Sequence, residues 1–249
     1  MGEAKRGGRT VILYVRLLNH TPNPEKTVAM AARMCYSAVG PDLIEEELLP
    51  DRVAALIRRL RKNGHLSPFE HASFTFAVSG SRALSHQMVR HRIASYSQKS
   101  QRYIQETGFR FVTPELVQRN PAAHELFQRC MKQIEQTYNE MLALGIHRED
   151  ARYVLPNACE TSFLCTFNAR SLHNFFRLRQ CRRAQWEIRR VANLMLREAK
   201  KVAPVLFEGA GPSCIAEGVC YEGEMSCGLV KRLKKGQTGK IYRPVASGG

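Results

Sequence analysis

Gln87-Met-Val-Arg-His-Arg-Ile-Ala-Ser-Tyr-Ser-Gln-Lys-Ser-Gln-Arg-Tyr103 is the stretch around which the rest of the chain is organised. Arg90, Arg92, Lys99 and Arg102 are fixed positive charges, Ser95, Ser97 and Ser100 add hydroxyls, and no carboxylate lies among them. Guanidinium groups fork onto phosphate oxygens in pairs, and serine hydroxyls take the remaining lone pairs, so the run suits an anionic ligand. The alternative is a solvated basic face. Upstream, Ser81 to Arg92 reads as a helix with Ala83, Leu84 and Met88 on one side and Gln87, Arg90 and His91 gathered at its end. Ile93 to Tyr103 has neither helical nor strand period and is expected to be a loop that presents the donors.

The charge pattern carries the same message. The chain has 249 residues and a formal net charge of +16. All acidic residues fall outside three windows, 71–105, 161–186 and 225–249; the rest of the chain is balanced. Clustered cations fit a nucleic-acid binder, through counterion release, or an enzyme that holds several phosphorylated ligands. Base stacking would require aromatics interleaved with the basic residues, and only Tyr96, Tyr103, Phe175 and Phe176 qualify. Length and 44% hydrophobic content suit one globular domain, read as residues 1–208, followed by a Gly-rich basic extension, 209–249. No apolar run approaches membrane-spanning length and the N-terminus lacks a signal-peptide core, so a cytoplasmic protein is expected.

Eight cysteines without a CxxC pair are expected to be reduced thiols. Cys214, Cys220 and Cys227 are spaced too loosely for a standard zinc knuckle. His65-Leu-Ser-Pro-Phe-Glu-His71 lacks the HExxH spacing that puts two ligands one helical turn apart, and Pro68 makes it a loop, so no metal site is expected.

The regular elements follow from period and punctuation. Thr10 to Leu18 reads as a buried strand, Asn19 to Pro24 as a turn, and Glu25 to Tyr36 as a helix. A helix over Asp51 to Lys62 has Asp51 as its expected cap and Gly64 past its end. Ala72 to Ser79 alternates with Phe74, Phe76 and Val78 on one face, and Phe109 to Val112 reads as a short strand. Asn120-Pro121 opens a long helix to Leu144, with an apolar stripe from Leu126 to Leu142 read as core or subunit interface. Thr161 to Phe167 is a strand, and Asn168 begins a helical stretch with Arg170, Asn174 and Arg177–Leu178 on one side. Ala184 to Val202 reads as a final helix, with the period lost from Pro204 onward.

Arg90-His91-Arg92, seven residues, Ser100, then Arg102-Tyr103 resembles the signature of the flavin-dependent thymidylate synthases. His65 to His71, Arg152-Tyr-Val-Leu-Pro156, and Asn168-Ala-Arg-Ser-Leu through Arg179 to Ala184-Gln-Trp-Glu187 resemble further family segments, in family order, so that the likeness spans residues 10–208. The resemblance implies an α+β fold, a curved, mainly antiparallel sheet flanked by helices, assembled as a homotetramer with shared active sites. It implies conversion of dUMP to dTMP with FAD as cofactor and NADPH and methylenetetrahydrofolate as co-substrates, without membrane or nucleic-acid partners. Such a reaction activates the uracil without a protein cysteine, and the central motif contains none.

Carried onto matching positions, the resemblance implies dUMP contacts at Gln87, Met88, Val89, Arg90, Gln98, Lys99, Ser100, Gln101, Arg102 and Arg152, with Arg179 catalytic and facing the uracil. It implies FAD contacts at Ser67, Glu70, Arg90, His91, Arg92, Gln98, Asn168, Ala169, Arg170, Asn174 and Arg183. The chain departs from the family pattern at Ser97, where many members have Asn, at Gln98, where some have Glu, and at Arg183, where some have His.

Overall fold

The structure, a computed structural model, describes residues 13–234. Four strands, β1 (Tyr14–His20), β2 (Ser73–Ser81), β3 (Ser95–Gln98) and β4 (Glu160–Asn168), form one sheet in the order β1-β2-β4-β3. Every pairing is antiparallel. The expected alternation holds in β2 and β4: Phe74, Phe76, Val78, Phe163, Cys165 and Phe167 are buried on one face. The opposite face pairs small hydroxyls across the strands, Thr75 with Thr166 at 2.9 Å and Ser79 with Ser162 at 2.8 Å. Such cross-strand pairs hold register. Of the first expected strand, residues 10–12 lie outside the described residues; the rest is not the buried strand expected, since β1 is an edge of the sheet with no buried residue, and it runs on to His20, with Leu18 bulging out of the pairing between Leu17 and Asn19.

The buried face of the sheet is covered by helices. These are α1 (Pro24–Met34), α2 (Pro41–Glu47), α3 (Pro50–Lys62), α8 (Ala169–Arg179) and α9 (Trp186–Val202), with their core side chains joined to the sheet in one cluster. Between them in sequence come α4 (Arg82–Met88), α5 (Glu115–Arg119), α6 (Pro121–Ala143) and α7 (Arg148–Ala151). Helix α2 had no counterpart in the sequence reading. Asp51 does not cap α3: Leu49 holds the cap position, Pro50 occupies the first turn, and Asp51 follows within that turn, where a carboxylate meets the positive end of the helix. Helix α9 begins at Trp186, two residues late, because the Gln185 side chain caps it, accepting from the backbone N–H of Glu187 and Ile188.

The central stretch differs most from expectation. Helix α4 stops at Met88 instead of Arg92, and residues 95–98 are a strand, not a loop. Both departures trace to tertiary partners. Strand β3 pairs along the edge of β4, Ser95 opposite Thr166 and Gln98 opposite Phe163. Tyr96 then donates its hydroxyl to the carbonyls of Met88 and His91, at 2.7 and 2.9 Å, which fixes the turn after α4. Pairing against a neighbour's edge overrides weak local propensity.

Phe109 to Val112 forms no strand, only a single bridge from Phe111 to Cys159. Phe109 and Phe111 instead enter a small satellite cluster with Met131 and Cys159. Helix α6 starts where Asn120 accepts from Ala123 N–H at 3.1 Å and is followed by Gly145 at φ 83°. Of its apolar stripe only Met131 and Tyr138 are buried, while Leu126 is 61% exposed. Beyond Glu208 the chain forms turns and the short helices α10 (Ser213–Ala216) and α11 (Leu229–Lys234); residues 235–249 lie outside the described residues. Among the described residues no helix is long and apolar enough to cross a membrane.

Candidate active site

Helix α8 builds the site. Asn168 accepts from Ser171 N–H at 2.8 Å and so begins the helix with Ala169, Leu172, Phe175 and Phe176 turned into the core. The helical period then puts Arg170, Asn174, Arg177 and Leu178 on the other side, along the wall of a cavity of about 1280 Å³. This exceeds the roughly 300–1,000 Å³ that holds one drug-sized ligand. Arg90, His91 and Arg92 enter from the turn after α4, Glu70 from the 3-10 turn Ser67–His71, and Arg58, Arg61 and Lys62 from the end of α3. Two carboxylates, Glu70 and Glu217, face eight lysine and arginine side chains, so the cavity favours polyanions.

The chemistry centres on Arg179, the last residue of α8. Its Nε–H donates to His91 Nε2 at 2.8 Å, and Nη2 lies 3.5 Å from the Gln87 carbonyl. His91 stands edge-on to Phe175, with ring centroids 4.9 Å apart. Burial, and then the Arg179 charge, pushes the His91 imidazole down to about 4, so the ring is neutral near pH 7 and serves Arg179 as an acceptor. Burial also lowers the Arg179 pKa from its ordinary value, with Tyr96 opposing. With Nε tied to His91 and Nη2 reaching the Gln87 carbonyl, the remaining terminal N–H groups are the part of the guanidinium left for a ligand.

A brace behind the site holds α4 in place. The buried Glu187 carboxylate accepts from Ser81 N–H at 2.8 Å and Ser81 O–H at 2.5 Å, while Ser81 Oγ accepts from Leu84 N–H at 3.0 Å and caps α4. Burial pushes the Glu187 carboxyl upward against the pull of those bonds. Gly80 leaves room for the brace: a Cβ there would stand 2.6 Å from Leu84 Cδ2 and 2.9 Å from Glu187 Oε1.

The residues singled out in the sequence divide into two groups. Glu70, Arg90, His91, Arg92, Asn168, Arg170, Asn174 and Arg179 line the one cavity, and Glu70 and Arg170 meet there at 2.6 Å. Ser67 is exposed on the neighbouring 3-10 turn, Ala169 is buried beneath α8, and Arg183 lies past the helix end, 3.9 Å from Glu222. Gln87, Met88, Val89, Gln98, Lys99, Ser100, Gln101, Arg102 and Arg152 do not line the cavity. Met88 is fully buried, Gln98 donates to Ser85 and Thr161 hydroxyls at 3.0 Å, and Gln101 is buried with its amide 3.6 Å from Cys159 Sγ. Lys99 pairs with Glu106 at 2.7 Å, Arg102 with Glu149 at 2.6 Å, and Arg152 with the Glu149 carbonyl at 2.9 Å. Arg102 and Arg152 thus gather around Glu149, away from the cavity wall.

Residues beyond those expected from the sequence also contribute. Tyr96 fixes the turn that carries His91, and Phe175 orients the His91 ring. Arg58, Arg61 and Lys62 carried a signal in their helical spacing, which would have gathered them at the end of α3. Gly209, Gly211, Ile215, Ala216 and Glu217 close one side of the cavity, and no local pattern marks them. No cysteine lines the cavity among the described residues, and burial pushes the Cys159 and Cys165 thiols up to about 12.

The family model described as Thymidylate synthase complementing protein matches residues 16–205 of the chain. A flavin-dependent thymidylate synthase of Clostridium tetani is 48% identical over 245 residues, covering 92% of this chain and 98% of the relative. One from Geobacter sulfurreducens is 49% identical over 226 residues, covering 90% and 97%. Among solved structures, a UMP/dUMP methylase PolB from Streptomyces cacaoi bound with 5-Br dUMP is similar at a TM-score of 0.72 and 28% identity, covering 79% of this chain and 93% of that one.

Proposed function

The chain belongs to the family of flavin-dependent thymidylate synthases, and from that premise we infer how its residues serve the reaction. The protein is a thymidylate synthase: it converts dUMP to dTMP with methylenetetrahydrofolate as the one-carbon donor, NADPH as the reductant and FAD as the cofactor. FAD, when bound, supplies the reducing equivalents that originate in NADPH. The observation that carries the assignment of roles is the large basic cavity at the end of α8, where Arg90, His91, Asn174 and Arg179 converge.

The donor set fits FAD. Arg90, Arg92 and Arg170 offer fixed charge for a diphosphate, and Asn168 and Asn174 offer amides that both donate and accept. Glu70 keeps Arg170 oriented toward the cavity by its 2.6 Å ion pair. On the nucleotide, Arg179 presents its terminal N–H groups to the uracil and stabilises negative charge developing at N3 and O4, the work of an oxyanion clamp. The acceptor at His91 holds that guanidinium in place, and the neutral imidazole adds no competing charge. Gln87, Arg90, Gln98, Ser100 and Arg102, joined by Arg152, serve the nucleotide, with arginines on the dianionic phosphate.

The separation of the two groups of residues supports an assembly with shared sites. Arg102 and Arg152 do not line the cavity that holds Arg179, so a phosphate held by them would serve the cavity of another subunit. The partly exposed apolar stripe of α6, with Leu126 outermost, offers a surface for such packing. A homotetramer satisfies both, and it works in the cytoplasm, where nucleotide pools are synthesised.

The test is an anaerobic assay of the purified protein with FAD, NADPH, dUMP and methylenetetrahydrofolate, following flavin absorbance and dTMP together. Formation of dTMP only when all four are present is the expected result; a colourless protein that makes no dTMP overturns the reading.

A further inference from the structure

Four of the eight cysteines meet at one place that the thymidylate synthase reaction does not use. Cys181 follows α8 by two residues, and Cys214, Cys220 and Cys227 come from the segment after Glu208. All four line a small cavity of about 30 Å³, together with Arg182, Arg183 and Glu222. That volume suits a single ion or water molecule. All four are free thiols, and they are near enough to feel one another's charge. Cys181 Sγ lies 3.9 Å from Glu222 Oε1, and Cys220 Sγ lies 3.3 Å from Ser226 Oγ.

The segment that supplies three of these thiols is otherwise tied to α8 and the turn after it by long ion pairs, Arg177 with Glu217 and Arg183 with Glu222, both at 3.9 Å. Between residues 212 and 233 only Pro212 and Leu229 are buried, and its regular structure is limited to short helical turns. A stretch with so small a core of its own is where a cross-link or a metal adds most. Its chain path suits the second. Gly218, Gly223 and Gly228 all have positive φ, a conformation that only glycine adopts without strain, and each sits beside or between the cysteines. These turns return the chain three times to the same cavity. Among the described residues no three His, Cys, Asp or Glu side chains stand, as placed, where one ion could be held. Holding one ion would therefore require the thiols to turn toward one another from where they stand.

We propose that Cys181, Cys214, Cys220 and Cys227 form a zinc site that fastens the C-terminal segment to the end of α8. Four sulfur ligands suit the tetrahedral preference and borderline softness of zinc, whereas calcium and magnesium require oxygen ligands that this cavity does not collect. On binding, the four S–H protons pass to solvent and four Zn–S bonds form, leaving a net charge of −2 that Arg182 and Arg183 face across the cavity. The site is closed, without an open position, and so is structural. Its consequence reaches the active site, because Gly211, Ile215, Ala216 and Glu217 of the fastened segment wall the larger cavity.

The experiment uses the full chain, expressed with added zinc, kept reduced, desalted and analysed for metal by mass spectrometry. About one zinc per chain is expected, falling to near none in Cys181→Ser and in Cys227→Ser, and unchanged in the control Cys35→Ser, whose exposed thiol lies on the far side of the sequence. Because a cysteine variant can misfold, the unmutated protein is also stripped with a chelator and titrated with cobalt, where thiolate-to-cobalt charge-transfer absorption saturating at one equivalent is expected. Reduced protein that retains no zinc and shows no such absorption overturns the proposal. Recovery of the four cysteines as disulfides under the same reducing conditions also overturns it. Neither readout depends on dTMP formation, so the site and the activity stand or fall separately.

Discussion

Arg179 Nε donates to His91 Nε2 at 2.8 Å, joining the last residue of α8 to the centre of the Arg-His-Arg turn across 88 positions of sequence. Neither residue is oriented by its own element alone. The Arg179 side chain is held by an imidazole that stays neutral because it is half-buried beside Phe175, and the imidazole is held by a turn that Tyr96 fixes from β3.

Replacing Arg179 by Ala removes the charge proposed to stabilise the developing uracil anion, so kcat for dTMP falls by roughly 10²–10³-fold while FAD remains largely bound. Arg179→Lys keeps a cation but lacks the Nε donor and planar fork, and most of the loss persists. Turnover measured beside flavin absorbance of the desalted protein checks both; near-normal turnover in the alanine variant takes Arg179 out of the catalytic role.

Tyr96→Phe leaves the ring in place and removes the hydroxyl that binds the carbonyls of Met88 and His91. The expected cost is about 1 kcal/mol of stability. Because His91 and the flanking arginines line the cavity proposed to hold FAD, FAD binding weakens several-fold, and because the same turn holds His91 against Arg179, kcat at saturating FAD falls as well. Titration of apoprotein with FAD, set beside a denaturation midpoint that moves by no more than this small cost, separates the effect from a general folding defect.

Gly80→Ala puts a Cβ 2.6 Å from Leu84 Cδ2 and 2.9 Å from Glu187 Oε1, directly on the brace. Crowding of this kind costs about 1–3 kcal/mol. Glu187→Gln keeps the shape but turns one acceptor into a donor facing Ser81, with a loss of similar size, about 1–3 kcal/mol. Chemical denaturation of the two variants and of the double variant should show losses that fail to add, since both disturb one contact.

Stability should fall as pH drops from about 6.5 toward 4. The imidazoles of His91 and His173 are both held down to about 4 from an ordinary 6.5, in each case first by burial. In that window the unfolded chain binds protons that the folded chain refuses, so stability rises with pH and these two groups add no further slope above about 6.5 or below about 4. His173 packs between Phe69 and Phe207 and meets the Leu206 carbonyl at 2.9 Å. His173→Gln should flatten the slope across the window by roughly 2 kcal/mol, reduced from the full shift because the ring is partly exposed. Denaturation midpoints at pH 7 and pH 5 for both proteins decide it; equal slopes would remove His173 from the account.

Local sequence was enough for the alternating strands β2 and β4, the helices begun by Asn120 and Asn168, and the basic side of α8 that carries Arg170 and Asn174. Each of these is written in a local period of two or 3.6 residues, or in a cap adjacent to it, and the Arg-His-Arg stretch carried the family in its residue order. Long-range contacts are what make Ser95 to Gln98 a strand, stop α4 at Met88 and bring Arg179 to His91. They also bring Cys181 to three thiols more than thirty residues away and set Gly209, Gly211, Ile215, Ala216 and Glu217 along the cavity wall. The physical reason is common to all of them. A sheet edge, a tyrosine hydroxyl reaching back to two carbonyls, and a loop folded against a helix end take their free energy from partners distant in sequence, and such partners leave no period in the segment they act on.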